Sequence, residues 1–119
     1  VGVATRNAAN ARAFAAKHGV AFATTSVDEL VARPDLHVVC ITTPSGAHLE
    51  PALAAIRAGK HVVVEKPIEI TTERTDELLR AADAAGVMVS PIFQARFTEG
   101  AAPDNPFDDS FGVCYWFCG

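Results

Sequence analysis

Three cysteines, one methionine, one tryptophan and one tyrosine are all that this 119-residue chain holds of those types. Cys40, Cys114 and Cys118 make an odd, sparse set, which argues against a disulfide framework and points to a reducing, cytoplasmic setting. Cys114 and Cys118 lack further Cys or His at metal spacing, so no zinc site is expected. No apolar run reaches the roughly 18 residues that a membrane span needs. Cationic charge is also short: ten Lys and Arg stand against 14 Asp and Glu, a net charge of −4. That balance argues against nucleic acid or an anionic membrane as partner. No Walker loop, no nucleophile elbow and no G-x-G-x-x-G occurs. An initiator methionine and a signal-like leader are absent as well, and Val1-Gly2-Val3-Ala4-Thr5 already reads as the inside of a strand. The expectation is a chain that was processed or that begins inside something larger.

What remains is a chain long enough for one domain. Half of its residues are hydrophobic, yet 22 are Ala and only eleven are Leu or Ile. A core of that composition requires close approach of helix and sheet rather than bulky side chains.

Apolar runs and helical patterns alternate from residue 1 to residue 93. After the first strand, Asn7 is placed to cap a helix over 8–17, and Gly19 sits where a helix end favours positive φ. A short strand is expected over 20–23. Ser26-Val27-Asp28-Glu29 has capping-box spacing ahead of a short helix that Pro34 limits. His37-Val38-Val39-Cys40-Ile41-Thr42 reads as a strand buried on both faces. A helix over 47–58, a strand over 62–64, a helix over 73–85 capped by Thr71 or Thr72, and a strand over 87–93 follow. This βαβ order gives an α/β fold: an open, doubly wound parallel sheet of about five strands with helices on both faces. Residues 98–119 break the rhythm, with a loop-like stretch and then the dense run Phe111 to Cys118. They are left as an unassigned tail.

Three clusters fall at the carboxyl ends of strands, where open α/β sheets bind ligands. Thr42-Thr43-Pro44-Ser45-Gly46-Ala47-His48 offers hydroxyls and backbone N–H groups to a ribose or phosphate, or it is an ordinary turn. Glu65-Lys66-Pro67 follows a run of valines; an ammonium there can bind a sugar hydroxyl and stabilise oxyanion character during hydride transfer. The plainer reading is a rim ion pair of small energetic value. Pro67 fixes the backbone after Lys66 and is a candidate for a cis bond. Thr5-Arg6-Asn7 ends the first strand. Dinucleotide folds put an acid at the end of their second strand for the ribose 2′-hydroxyl, whereas an Arg accommodates a 2′-phosphate. If the first strand here is that strand, Thr5 and Arg6 favour NADP over NAD; otherwise they are a polar helix start. Gln94 and Arg96, after the last strand, are further crevice candidates.

Together, Thr42-Thr43-Pro44-Ser45-Gly46-Ala47-His48, Ala58-Gly59-Lys60-His61-Val62 and Glu65-Lys66-Pro67 resemble the signature of the glucose–fructose oxidoreductase, inositol dehydrogenase and MocA (Gfo/Idh/MocA) family. Phe93-Gln94-Ala95-Arg96-Phe97 resembles the segment after that family's sixth strand. The resemblance covers residues 1–97 and implies a Rossmann-like, dinucleotide-binding domain. It also implies an NAD(P)-dependent oxidoreductase of sugars, cyclitols or nucleotide sugars, homo-oligomeric in its parent form. On it, Thr42, Thr43 and Pro44 fall where the family contacts the cofactor, and Glu65 near the nicotinamide ribose. Lys66 falls where the family's lysine approaches nicotinamide and substrate, as the catalytic candidate. His48 lies on the matching helix start near the crevice, and Thr5 and Arg6 at the adenosine end.

Family members begin with a strand and Gly-rich loop that precede the strand matched by residues 1–5. In the strand order 3-2-1-4-5-6 that first strand is central. Without it the sheet is expected to part into two half-sheets with exposed edges, and the chain to be a catalytically silent fragment. The competing readings are a small non-enzymatic binding or interaction module that uses its aromatic end, and a flavodoxin-like domain.

Overall fold

The computed structural model describes residues 1–93, and within them five strands alternate with four helices. Strand β1 (Gly2–Ala4) leads into helix α1 (Ala8–His18). The Asn7 side chain accepts hydrogen bonds from Ala9 N at 2.8 Å and Asn10 N at 3.2 Å. Two of the N–H groups that a helix start leaves unpaired are satisfied in this way. Gly19 ends the helix in the left-handed region at φ 65°. Strand β2 (Phe22–Thr24) and helix α2 (Val27–Val31) follow, with Ser26 Oγ accepting from Glu29 N at 3.2 Å.

The other half of the expected capping box is rerouted. The Glu29 carboxylate accepts from the Thr24 hydroxyl, and Ser26 N donates to Thr24 Oγ1 at 3.0 Å. A buried threonine at the end of β2 thus takes the place of the reciprocal Glu–Ser bond.

Strand β3 (Val38–Ile41), helix α3 (Leu49–Arg57), strand β4 (His61–Val64), helix α4 (Thr72–Ala85) and strand β5 (Val89–Pro91) complete the series. Thr71, not Thr72, caps α4, accepting from Arg74 N at 3.3 Å.

All strand pairing is parallel, in two sheets: β1 with β2, and β3-β4-β5 with β4 central. Among the described residues β1 pairs only with β2 and β3 only with β4, which are the two half-sheets expected from sequence. Helix α2 packs against β1, β2 and α3, and so joins them. Its Leu30 lies so close to β1 that a Cβ at Gly2 would stand 2.7 Å from Leu30 Cδ1. That close approach is what an alanine-rich, glycine-bearing chain allows.

One core unites Val39, Ile41, Val62 and Val64 of the larger sheet with Leu49, Leu53 and Ile56 of α3 and Leu78 and Ala82 of α4. Burying each large aliphatic side chain contributes about 1.5–3 kcal/mol. The expectation that β3 is buried on both faces is corrected here. Along β3 burial alternates, and Val38 and Cys40 are exposed while Val39 and Ile41 are buried. Side chains of a strand point to opposite faces in turn, and among the described residues α3 covers only the Val39–Ile41 face. A continuous apolar run is compatible with either arrangement, so the pattern could not separate them.

Candidate functional site

Parallel strands bring their carboxyl ends into one row, and the three sequence clusters lie along it. Strand β1 continues to Thr5, whose N–H donates to Thr24 O at 3.2 Å. The Thr5 hydroxyl is spent on the local turn: it donates to Asn7 O at 2.8 Å and accepts from Asn7 N at 3.1 Å. Arg6 is exposed and makes no ion pair among the described residues.

After β3, Ala47 N donates to Pro44 O at 2.9 Å, closing a tight turn. Gly46 has φ 82° there, and a Cβ would meet Ile70 Cδ1 at 3.1 Å. The left-handed backbone therefore favours glycine, and a side chain there would press on Ile70. Thr43 Oγ1 donates to Ala47 O at 2.8 Å, whereas Thr42 and Pro44 are exposed at the surface of the turn.

After β4, Glu65 N donates to Ile41 O at 3.0 Å, so the ladder runs to the edge of the next cluster. Lys66–Pro67 is a cis peptide. A rim ion pair between Glu65 and Lys66, the plainer of the two readings of this cluster, is not formed: the Glu65 carboxylate accepts from the Lys66 backbone N–H at 3.1 Å. The Lys66 side chain is exposed and makes no ion pair among the described residues.

A cleft of about 400 Å³ brings Arg6 together with Thr43 and Pro44, across the division between the two sheets. Asp28 at the start of α2 and Glu50 in the first turn of α3 also line it, with Val27, Ala47, Pro51 and Ala54 as its apolar wall. Thr5, Thr42, His48, Glu65 and Lys66 do not line this cleft. Glu65 and Lys66 stand one strand further along the row. Gln94 and Arg96, and the tail from 98 to 119, lie outside the described residues.

His48 is placed differently from the crevice position that sequence suggested. It is 1% exposed. Its Nε2 lies 2.8 Å from Thr43 O, and its Nδ1 lies 2.9 Å from Pro67 O and 3.2 Å from Ile68 O. The ring therefore spans the turn after β3 and the turn after β4.

Beside it stands Glu69, a residue that the sequence did not single out. Its side chain is fully buried. Oε1 accepts from His48 N at 3.1 Å and Leu49 N at 2.9 Å, and Oε2 accepts from Ile70 N at 2.9 Å. The Arg74 guanidinium closes the shell, with NH2 donating to Glu69 Oε1 at 3.2 Å and Nε 3.1 Å from Oε2. Arg74 also reaches Glu50 Oε1 at 3.0 Å. Burial by itself pushes the Glu69 carboxyl up, but Arg74 and the backbone donors outweigh it and hold the group at about 2. The Arg74 guanidinium is correspondingly raised, first by Glu69 and then by Glu50. No local motif announces this cluster, because the backbone donors His48 and Leu49 lie 21 and 20 residues from Glu69 in sequence. Among the described residues no group of three His, Cys, Asp or Glu is arranged to hold a metal ion, and no helix is long and apolar enough to cross a membrane.

Comparison with known proteins places these elements in context. The family described as oxidoreductase family, NAD-binding Rossmann fold (GFO_IDH_MocA) matches residues 1–93. A 1,5-anhydro-D-fructose reductase of Ensifer adhaerens is 43% identical over 96 residues, which are 81% of this chain and 29% of that protein. The scyllo-inositol 2-dehydrogenase (NADP(+)) IolW of Bacillus subtilis is 45% identical over 81 residues, 68% of this chain and 21% of that protein. Among solved structures, the WlbA dehydrogenase from Bordetella pertussis in complex with NADH and UDP-GlcNAcA superposes with a TM-score of 0.75 at 30% identity. That superposition covers 81% of this chain and 28% of WlbA. The chain thus spans less than a third of the length of these relatives.

Proposed function

The chain belongs to the oxidoreductase family with an NAD-binding Rossmann fold, and from that premise we propose that it forms the cofactor-binding part of an NAD(P)-dependent sugar or cyclitol oxidoreductase. The observation that carries this reading is the cleft in which Arg6, after β1, meets Thr43 and Pro44, after β3. Clefts at strand carboxyl ends are where doubly wound sheets bind nucleotides. The residues fit a dinucleotide: an exposed guanidinium at one end of the row, the Thr42–Pro44 turn in the middle, and an exposed ammonium at the other. The reductase and inositol dehydrogenase names of the relatives support a sugar-like substrate.

When bound, the nicotinamide supplies or accepts the hydride. The chain's own residues do the rest. Thr42 and the backbone of the Thr42–Pro44 turn orient the cofactor. Glu65 approaches the nicotinamide ribose, its carboxylate held by the Lys66 N–H. Lys66 Nζ donates to the substrate oxygen and stabilises the negative charge that develops on it, an electrostatic contribution that a directed ammonium makes best where water is excluded. Arg6 offers a fork of donors to a 2′-phosphate, so the cofactor we propose is NADP in preference to NAD. The NADP(+)-dependent inositol dehydrogenase among the relatives supports that lean, while WlbA was solved with NADH. Asp28 and Glu50 share the cleft, but Glu50 is already engaged by Arg74. Gln94 and Arg96 complete the set as candidate contacts beyond β5. The reading includes a cytoplasmic, homo-oligomeric enzyme.

The test is a fluorescence titration, with NADPH and NADH, of the intact protein, meaning the full-length enzyme that carries this chain, followed by turnover on a panel of sugars and cyclitols; the 119-residue chain by itself is expected to stay silent. Saturable dinucleotide binding with turnover of at least one polyol or keto-sugar is expected. Binding of neither dinucleotide overturns the reading.

A further inference from the structure

Helices α1, α2 and α4 are each capped by a residue next to them in sequence: Asn7, Ser26 and Thr71. Helix α3, which leaves the Thr42–His48 turn, has no such side-chain cap. Its first N–H groups are satisfied instead by Glu69, from the turn that follows β4. A negative charge at that end also complements the helix dipole. The two turns are tied a second time by the His48 ring, between Thr43 O and Pro67 O.

These contacts join the two segments that carry the proposed site. The His48 ring meets Thr43 O, His48 N and Leu49 N donate to Glu69, and Glu69 lies three residues from Lys66. A local cap would hold α3 without regard to where the second turn stood. A carboxylate supplied by the second turn makes the placement of each turn depend on the other. Arg74 neutralises the buried charge and is anchored on Gly46 O at 3.5 Å and Glu50, both beside the first turn. The carboxylate is thereby held from α4 as well.

We propose that Glu69 is a positioning residue, bracing the Thr42–His48 turn against the Glu65–Ile70 turn so that Thr43 and Lys66 meet one ligand at a fixed spacing. The proposal rests on the dinucleotide reading given above. Glu69 touches neither cofactor nor substrate; it acts through the segments that do.

The experiment uses the intact protein with Glu69→Gln, Arg74→Gln, Lys66→Ala and the double variant K66A/E69Q. The E69Q change conserves volume but replaces one acceptor oxygen by an amide that turns its own N–H donors toward the backbone donors. Two readouts are taken. The first is backbone hydrogen exchange without dinucleotide, where E69Q is expected to speed exchange about tenfold in peptides covering 42–49 and 65–70 and leave those of β1, α1 and β2 unchanged. The second is steady-state turnover, where E69Q is expected to lower kcat about tenfold with NADPH affinity changed less than threefold, and to add nothing in the Lys66→Ala background. Arg74→Gln, whose side chain is partly exposed, is expected to give the same pattern at smaller amplitude and carries the test if E69Q does not fold. Exchange that rises throughout the protein, or losses that multiply in the double variant, would overturn the proposal in favour of a purely structural role. Localised exchange in a wild-type protein that binds no dinucleotide overturns the functional reading instead, and the role in ligand spacing with it.

Discussion

Arg6 and Thr43 line one cleft although they follow strands of different sheets. They lie far apart in sequence, and what brings them together is the packing of α2 against both β1 and α3. The cleft is therefore a product of the whole α/β arrangement, and its chemistry is open to test one residue at a time.

The cofactor preference rests on Arg6. Replacing it by alanine removes charge-assisted bonds to a 2′-phosphate, a loss of about 1.5–3 kcal/mol. NADPH affinity should fall about 10- to 100-fold while NADH affinity changes little. Paired titrations check this, and equal losses for both cofactors would remove Arg6 from the phosphate role.

Acid stability reports on Glu69. Its carboxyl is depressed from 4.5 to about 2 in the folded chain. A depressed carboxylate stabilises the fold above the unfolded value, so the contribution is full above about pH 4.5 and is lost as pH falls toward 2. Its size is about 3 kcal/mol at neutral pH. Denaturant midpoints from about pH 6 down to about 2.5 should drop steeply for the wild type and more shallowly for Glu69→Gln. Parallel slopes would contradict the assignment.

The turn after β3 takes a left-handed backbone at Gly46 that side chains rarely adopt. At φ 82°, with Ile70 Cδ1 3.1 Å from where a Cβ would stand, Gly46→Ala should cost about 1–2 kcal/mol. Thermal unfolding measures the loss. Dinucleotide affinity should fall with it, because Thr43 and Pro44 sit in the same turn; a variant as stable and as tight-binding as wild type would show that the turn tolerates rearrangement.

How much of the structure is legible in the chain follows the range of the forces involved. Caps at Asn7, Ser26 and Thr71 and the left-handed end at Gly19 are local, and each stands where its pattern puts it. The parallel βαβ order is equally legible, since strand and helix periods differ. Burial of β3 on both faces is a misreading, because a run of Val and Ile records affinity for a core and not how many faces have one. The inward turn of His48 and the importance of Glu69 and Arg74 cannot be seen in the sequence at all. Their partners come from other turns and another helix, and a glutamate after Glu-Lys-Pro-Ile looks like any surface charge. The Glu65–Lys66 ion pair gives way to a shorter-range contact, because the Glu65 carboxylate is taken up by the Lys66 backbone N–H in the turn after β4.

The central claim is that Lys66 acts on the reacting atoms at the end of a dinucleotide-binding row. It is tested most directly by measuring kcat and NADPH affinity for Lys66→Ala in the intact protein, using whichever sugar or cyclitol the wild type turns over. Removal of a directed ammonium should lower kcat about 10²- to 10⁴-fold while the dissociation constant for NADPH stays within about threefold of wild type. A variant that turns over at the wild-type rate would contradict the account.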